Sequence, residues 1–334
     1  MFAMKRRLAF QLCAAALLLA AAQPAQSQEL DKVSIRLDWT VLGYHTPFYL
    51  AAARGYYKDA KLAVEIVEGR GSTNTIQLVG AGSNTFGFAD GTAVAKSIGL
   101  GVPIKMVMGI LQRSPMGVIV PAESSIKTGT DLKGKRIGSC PGSPPGMLVP
   151  AFLTAIGLAP TDVTIVSTQC GAPAYLVVPQ KQADGVAGYT AASRGALARL
   201  GFNEIRSFEF AEVGINVPAH GIITSTDVLT KQPDMARRFL AATAKGWIEA
   251  QRDPAAAVAA TVVAMPLLAG KEDSMKAELE ENFKYLNTAR TKGKAFGWQS
   301  SDDWKAAEEV LVKYMEVKQQ PSPDAYFTNQ YIPQ

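Results

Sequence analysis

Apolar positions along the chain come in short runs of two kinds, and the kinds alternate. "VSIRLDW" (33–39) reads as a strand, and "TPFYLAAARGYYKDA" (46–60) as a helix that stops near Gly55. "AVEIVEG" is a strand and "STNTIQLVGAG" a short helix opened by Ser72 or Thr73, both good N-caps. "TFGFAD", "GTAVAKSIGLG" and "PIKMVMGI" continue as strand, helix and strand. This rhythm predicts a parallel or mostly parallel sheet covered by helices.

The rhythm then restarts. "DLKGKRIGSC" ends in a strand, "PPGMLVPAFLTAIGL" is a helix and "DVTIVSTQC" a strand; "GAPAYLVVPQKQ" reads as a helix, "ADGVAGY" as a strand, "TAASRGALARLG" as a helix and "EIRSFEF" as a strand. Two halves of similar length predict an α/β protein with two Rossmann-like lobes. After "HGIITS" the chain turns helical. Phe239, Leu240, Thr243, Ala244, Trp247 and Ile248 fall on one helical face, and Trp304, Ala307, Leu311 and Tyr314 on another. Asp253 followed by Pro254 marks a helix start. These helices are expected to pack on the first lobe. The expected division is 28–115 plus 220–334 for lobe 1 and 116–219 for lobe 2, with crossings near 113–120 and 213–222.

The N-terminus changes how the rest is weighed. Lys5, Arg6 and Arg7, then the apolar "LAFQLCAAALLLAAA", then small residues at Ala25 and Ser27 have the form of a secretory signal over 1–27. Removing those three cations lowers the formal charge from +5 to +2. No long basic cluster remains, so a nucleic-acid partner is not expected. No later run reaches the roughly 18 apolar residues of a membrane span. Two His and, beyond the signal, two Cys compose no common metal spacing.

In open α/β sheets ligands bind beyond the carboxyl ends of strands. Here those ends are 38–45, 68–74, 89–91, 138–146, 168–173 and 188–193, rich in Gly, Ser, Thr and aromatics. Glycine and proline are also simply how chains turn, but six such turns on both halves point to one cleft. The candidate ligand contacts are Asp38, Trp39, Tyr44, His45, Gly71, Ser72, Thr73 and Asp90 from the first half, and Gly142, Ser143 and Tyr189 from the second. Trp39 is read either as a stacking face for a flat ligand or as a lid on the core. His45 either donates to ligand or caps the helix at Thr46, and Asp38 could anchor the turn instead of touching ligand. Ser72, Thr73 and Ser143 sit near helix N-termini, where free N–H groups could hold an anion. "GSCPGSPPG" lacks the Gly-Lys-Ser/Thr ending of a P-loop. With His45 and His220 the only candidate bases and no Gly-x-Ser-x-Gly elbow, no catalytic set emerges.

"DWTVLGYHTPFYLAAARGYYKDAKLAVEI", with Trp39, Tyr44-His45, Pro47, Leu50-Ala51 and Gly55-Tyr56-Tyr57, resembles the family that joins thiamine-pyrimidine synthases with solute-binding proteins of bacterial ABC importers. "LVGAGSNTFGFAD", "DLKGKRIG", "QCGAPAYLVVPQKQADGVAGY" and "TDVLTKQPDMARRFLAATAKGWIEAQRDPAAA" follow the same order, so the resemblance spans nearly the whole chain past the signal. It implies the type II periplasmic-binding fold. In the synthase branch, as the resemblance implies, a lysine holds pyridoxal phosphate, a histidine follows four residues on, and a cysteine-rich run comes later. This chain has Ala89 and Ala93 at the first two positions and "VGINVPAHG" at the third. The resemblance with these departures implies a non-enzyme without cofactor: a monomeric periplasmic binder of a small planar heteroaromatic or aromatic, pyrimidine-like ligand, docking on the membrane subunits of an importer. An alkanesulfonate, taurine or nitrate binder is the alternative within the family, and a pyridoxal-phosphate-dependent pyrimidine synthase the alternative outside it.

Cys140 and Cys170 follow consecutive strands, which are usually neighbours about 4.8 Å apart. An oxidising compartment would permit a bridge between them. Two free thiols are the other reading, since Cys170 matches a family cysteine.

Overall fold

The computed structural model describes residues 29–333, so the expected signal segment lies outside the described residues. The strands are β1 (Asp31–Arg36), β2 (Leu62–Val67), β3 (Phe86–Asp90), β4 (Ile104–Leu111), β5 (Met116–Pro121), β6 (Arg136–Ser139), β7 (Thr164–Ser167), β8 (Gly185–Tyr189), β9 (Ile205–Glu209) and β10 (His220–Ser225). The helices are α1 (Thr46–Ala53), α2 (Tyr56–Asp59), α3 (Ser72–Gly80), α4 (Gly91–Gly99), α5 (Pro144–Ala155), α6 (Thr190–Ala198), α7 (Thr226–Lys231), α8 (Pro233–Arg252), α9 (Pro254–Ala264), α10 (Glu272–Asn282) and α11 (Ser301–Met315).

The strands form two five-stranded sheets, in the orders β2-β1-β3-β10-β4 and β7-β6-β8-β5-β9. In each sheet one strand delivered by a crossing runs against its neighbours: β10 is antiparallel to β3 and β4, and β5 to β8 and β9. The periodicity did not reveal β5. Its apolar residues lie inside the stretch expected to be a bare crossing, yet all six are buried. The two crossings are tied together. Asn216 accepts from the Ser114 N–H at 2.8 Å and donates to the Gln112 carbonyl at 3.4 Å.

Three further expectations need correcting. "GAPAYLVVPQKQ" forms only a 3₁₀ turn, Ala172–Val177; Pro173 lies inside it and Pro179 just beyond, and proline neither donates to nor extends a helix. Ile248, expected on the apolar face of α8, is exposed, while Phe239, Leu240 and Trp247 are buried. Trp247 packs edge-on to Phe48 of α1, and Phe239 stacks on Phe86 of β3. The late helices do not all pack on the first sheet alone. α11 packs against α5, and its Trp304, Leu311 and Met315 join one apolar cluster with Leu148, Val149 and Phe152.

Cys140 and Cys170 are bonded, with Cα atoms 5.0 Å apart. β6 and β7 are parallel neighbours with Ser139 paired to Ser167, which brings the residues just past each end together. Reduction should destabilise the protein, by up to about 3–4 kcal/mol for a closed loop of this length. Intact mass after alkylation with and without reductant, plus denaturant melts of each form, checks this. Two alkylated thiols in the unreduced, unfolded protein would rule out the bridge.

Candidate ligand cleft

β1 ends at Arg36, three residues before Trp39, so Asp38 and Trp39 lie on the turn beyond it. Backbone bonds from the loop after β2 hold that turn. Gly69 N–H donates to the Trp39 carbonyl at 3.0 Å, and Gly71 N–H to the Asp38 carbonyl at 2.7 Å. Gly71 has φ 107°, a conformation side chains rarely adopt. This is also where the first sheet switches order, with β2 on one side of β1 and β3 on the other, which is where a crevice opens in doubly wound sheets. In the second sheet β6 and β8 make the matching switch.

The Asp38 carboxylate is the centre of the arrangement. Oδ1 lies 2.7 Å from His45 Nε2, Oδ2 lies 3.2 Å from His220 Nε2, and the Tyr44 hydroxyl donates to Oδ2 at 3.2 Å. Burial would raise the Asp38 pKa, but His220 and His45 hold it well below the usual carboxylate range. His45 is fully buried. Its Nδ1 accepts from the Leu42 N–H at 3.0 Å, so Nε2 carries the proton that goes to Asp38. Both ring nitrogens are used. His45 therefore braces the turn and is not free to donate to a ligand, and Asp38 anchors the turn as the second of its two readings.

His220 opens β10. Burial opposes its charge, yet Asp38 and Asp90 lift its pKa above the ordinary histidine value. Its Nδ1 is buried and has no partner among the described residues; an unmet buried polar group costs about 1–3 kcal/mol. Asp90 caps α4, accepting from the N–H groups of Thr92 at 2.8 Å and Ala93 at 3.3 Å. Burial raises its pKa despite His220 and those donors. Tyr189, at the end of β8 in the second sheet, donates to Asp90 at 3.1 Å and so bridges the two halves.

The remaining candidates divide. Trp39 is 43% exposed, so it is no lid on the core. Ser72 is the first residue of α3 and not its cap, which is Gly71; the Ser72 Oγ accepts from the Asp90 N–H at 3.0 Å. Thr73 is exposed. α3 has no side-chain cap, so its first turn keeps N–H groups that could meet a ligand. At α5 the anion argument fails. Pro144 and Pro145 carry no N–H, and the Ser143 Oγ already accepts from Gly146 N–H. Gly142 lies in the exposed turn before it.

Two residues that were not among the expected ligand contacts join the site. One is His220. The other is Glu278 on α10, which accepts from the Gly43 N–H at 2.9 Å. A Cβ on Gly43 would meet the Met275 carbonyl at 2.2 Å, so glycine is what lets α10 seat on this turn. α10 also packs on α6 of the second half. Burial pushes the Glu278 carboxyl up to about 7, against the pull of the Gly43 N–H and Arg199.

Residues 43–257 match the family described as NMT1/THI5 like. The chain belongs to that family. Among similar proteins, the riboflavin-binding protein RibY of Chloroflexus aurantiacus is 25% identical over 94% of this chain and 90% of its own. The 4-amino-5-hydroxymethyl-2-methylpyrimidine phosphate synthase of Schizosaccharomyces pombe is 24% identical over 67% of each. Of solved structures, the periplasmic aliphatic sulphonate binding protein SsuA from Escherichia coli has a TM-score of 0.68 at 15% identity, over 90% of this chain and 92% of that one. The fold is that of the periplasmic binding proteins, as expected. The family's synthase branch implies pyridoxal phosphate, and the residues here do not fit it. Ala89 is fully buried in the core of β3 and Ala93 stands on α4; neither offers an amine for an imine.

The raised carboxyls set a pH dependence. Glu278 binds a proton more tightly folded than unfolded, so its contribution is fully present below 4.5 and is lost as pH rises through about 7. The protein should be more stable at pH 5 than at pH 8, by about 2 kcal/mol, and Glu278→Gln should shrink that difference. Urea melts of both proteins at the two pH values check it; equal stabilities in the wild type would contradict it.

Proposed function

We propose that this protein is the solute-binding component of an ABC importer, acting outside the cytoplasm, and that it captures a small planar heteroaromatic ligand between its two lobes. The observation that carries this reading is Trp39. A large indole stands 43% exposed at the switch point of the first sheet, on a turn braced beneath it by Asp38, His45 and His220. An indole held so can stack on a flat ring, adding to affinity beyond the area it covers. Tyr189 closes on Asp90 from the other lobe, and the paired crossings supply the hinge for closure. The importer's membrane subunits are the partner for the closed form.

The chemistry of the walls supports a neutral or donor-bearing ring over a sulfonate or nitrate. Asp38, Asp90 and Glu278 place three carboxyls around the cleft, the first turn of α4 is taken by Asp90 and that of α5 is blocked by prolines, which leaves the uncapped first turn of α3 as the one open helix start of the three. Like charges would repel an anion there. A non-enzymatic role is supported by alanine at 89 and 93.

Mass spectrometry of any small molecule that co-purifies, followed by a thermal-shift screen of pyrimidines, riboflavin and sulfonates, tests the reading. A ligand at 100 times its Kd adds about 2.7 kcal/mol of stability. Capture of taurine or another sulfonate alone would overturn it. Trp39→Ala should weaken binding of the captured ring roughly tenfold or more, about 1.4 kcal/mol, while changing the melting temperature little. Calorimetry decides, and unchanged affinity with a large drop in melting temperature would remove the stacking role. Incubation with pyridoxal phosphate and borohydride should leave no stoichiometric adduct in the cleft by intact mass; such an adduct would argue for an enzyme.

A further inference from the structure

His220 has work that the fold does not explain. It is only 6% exposed, and its Nε2 meets Asp38 Oδ2 at 3.2 Å. Its other nitrogen meets nothing: Nδ1 is one of four buried side-chain N or O atoms without a partner among the described residues. Of the four, His220 Nδ1 belongs to the only ionisable side chain. Phe88 stacks on the ring at 5.2 Å between centroids, and Tyr189 of the second lobe stands 5.9 Å away. Buried polar atoms in native proteins are nearly always paired, and an exception wants a reason.

We propose that His220 is a specificity-determining contact of the cleft, donating Nδ1–H to an acceptor on the ligand ring, a ring carbonyl oxygen or a ring nitrogen. This rests on the functional reading above and narrows it. The bound ring must turn an acceptor edge toward His220, and a ring offering only donors or C–H there is rejected because the imidazole would stay unmet. With Nε2–H donating to Asp38, a second donor at Nδ1 requires the doubly protonated ring. The groups facing His220 make that state accessible. Asp38 comes from the turn after β1, Asp90 from the end of β3, Tyr44 from the 3₁₀ turn Gly43–His45 and Tyr189 from β8; the two carboxylates raise the His220 pKa against burial. A group whose folded pKa is raised is charged below that value, so affinity declines as pH rises through it.

The two amide substitutions separate the two ring nitrogens. An asparagine amide branches from Cγ and falls where Nδ1 is; a glutamine amide branches from Cδ and falls where Nε2 is. Riboflavin, uracil and cytosine serve as planar probes and taurine as the anionic control, by calorimetry at pH 6 and pH 8.5. For the tightest planar probe, wild-type affinity should fall at least threefold between the two pH values. His220→Gln, which keeps a partner for Asp38, should lose tenfold or more. His220→Asn should retain more than His220→Gln, and neither variant should show the pH dependence. A planar probe that binds His220→Gln as it binds wild type, with a flat wild-type pH profile, overturns this inference and leaves the functional reading standing. Binding of taurine with no planar probe overturns both. Nitrogen NMR of the histidine rings gives a ligand-free arm that needs no folded variant. The chain has two histidines, and His45 Nδ1 accepts a backbone bond. Double protonation of the other ring at pH 6 is expected, and a neutral ring there overturns the proposal.

Discussion

One carboxylate buried between two imidazoles holds three parts of the chain in register. Asp38 lies just past β1. His45 stands immediately before α1, and His220 begins the strand that returns from the second lobe. Their bonds to Asp38 fix where the first strand ends, where the first helix begins and where the second crossing lands. A charge taken out of water needs both partners, because removing one leaves the other uncompensated. The neighbour in sequence is Trp39, so the network that satisfies Asp38 also sets the direction in which the indole leaves the fold. The shape of the candidate site is a consequence of meeting that one buried charge.

The two lobes contribute differently. The first supplies ionisable groups: Asp38, Asp90, His220 and, through α10, Glu278. The second supplies shape. Its α5 begins with two prolines, its β6 and β7 turns are joined by Cys140 and Cys170, and its Tyr189 hydroxyl reaches Asp90 while Glu209 meets Tyr285 and Arg113. The second lobe still places one charge near the site, Arg199, which acts on Glu278.

The alternation of strands and helices was legible because each element carries its own period, and a period is local. The position of Trp39 just past a strand end was legible too, since β1 carries its own period up to that turn. What was missed is nonlocal. His220 meets Asp38 across 182 positions and Glu278 meets Gly43 across 235, and neither partner leaves a mark near the other in sequence. β5 was missed because a short apolar run inside a crossing has no period to distinguish it. His45 stayed open between two roles for a subtler reason: a histidine at a turn suits both a ligand and a backbone N–H, and only the distance to Leu42 separates them. The blocked end of α5 is the one miss that was avoidable. "SPPG" shows in the letters that two donors are missing.

The site groups share a property that follows from their burial. Asp90 and Glu278 have raised pKa values and so does His220, while Asp38 stays ionised. With its carboxyl pushed up to about 7, Glu278 is only partly ionised near neutral pH, so the site carries less negative charge than its residue list implies. A neutral heteroaromatic ring with acceptors on one edge and donors on the other can exploit both forms. Under the proposal for His220, its acceptor edge would meet the protonated imidazole and its donor edge a carboxylate that has lost its proton. For a fully anionic ligand, loss of the proton from Glu278 would add repulsion. On the proposed function, the proton balance of the walls would be what selects a ring of mixed polarity.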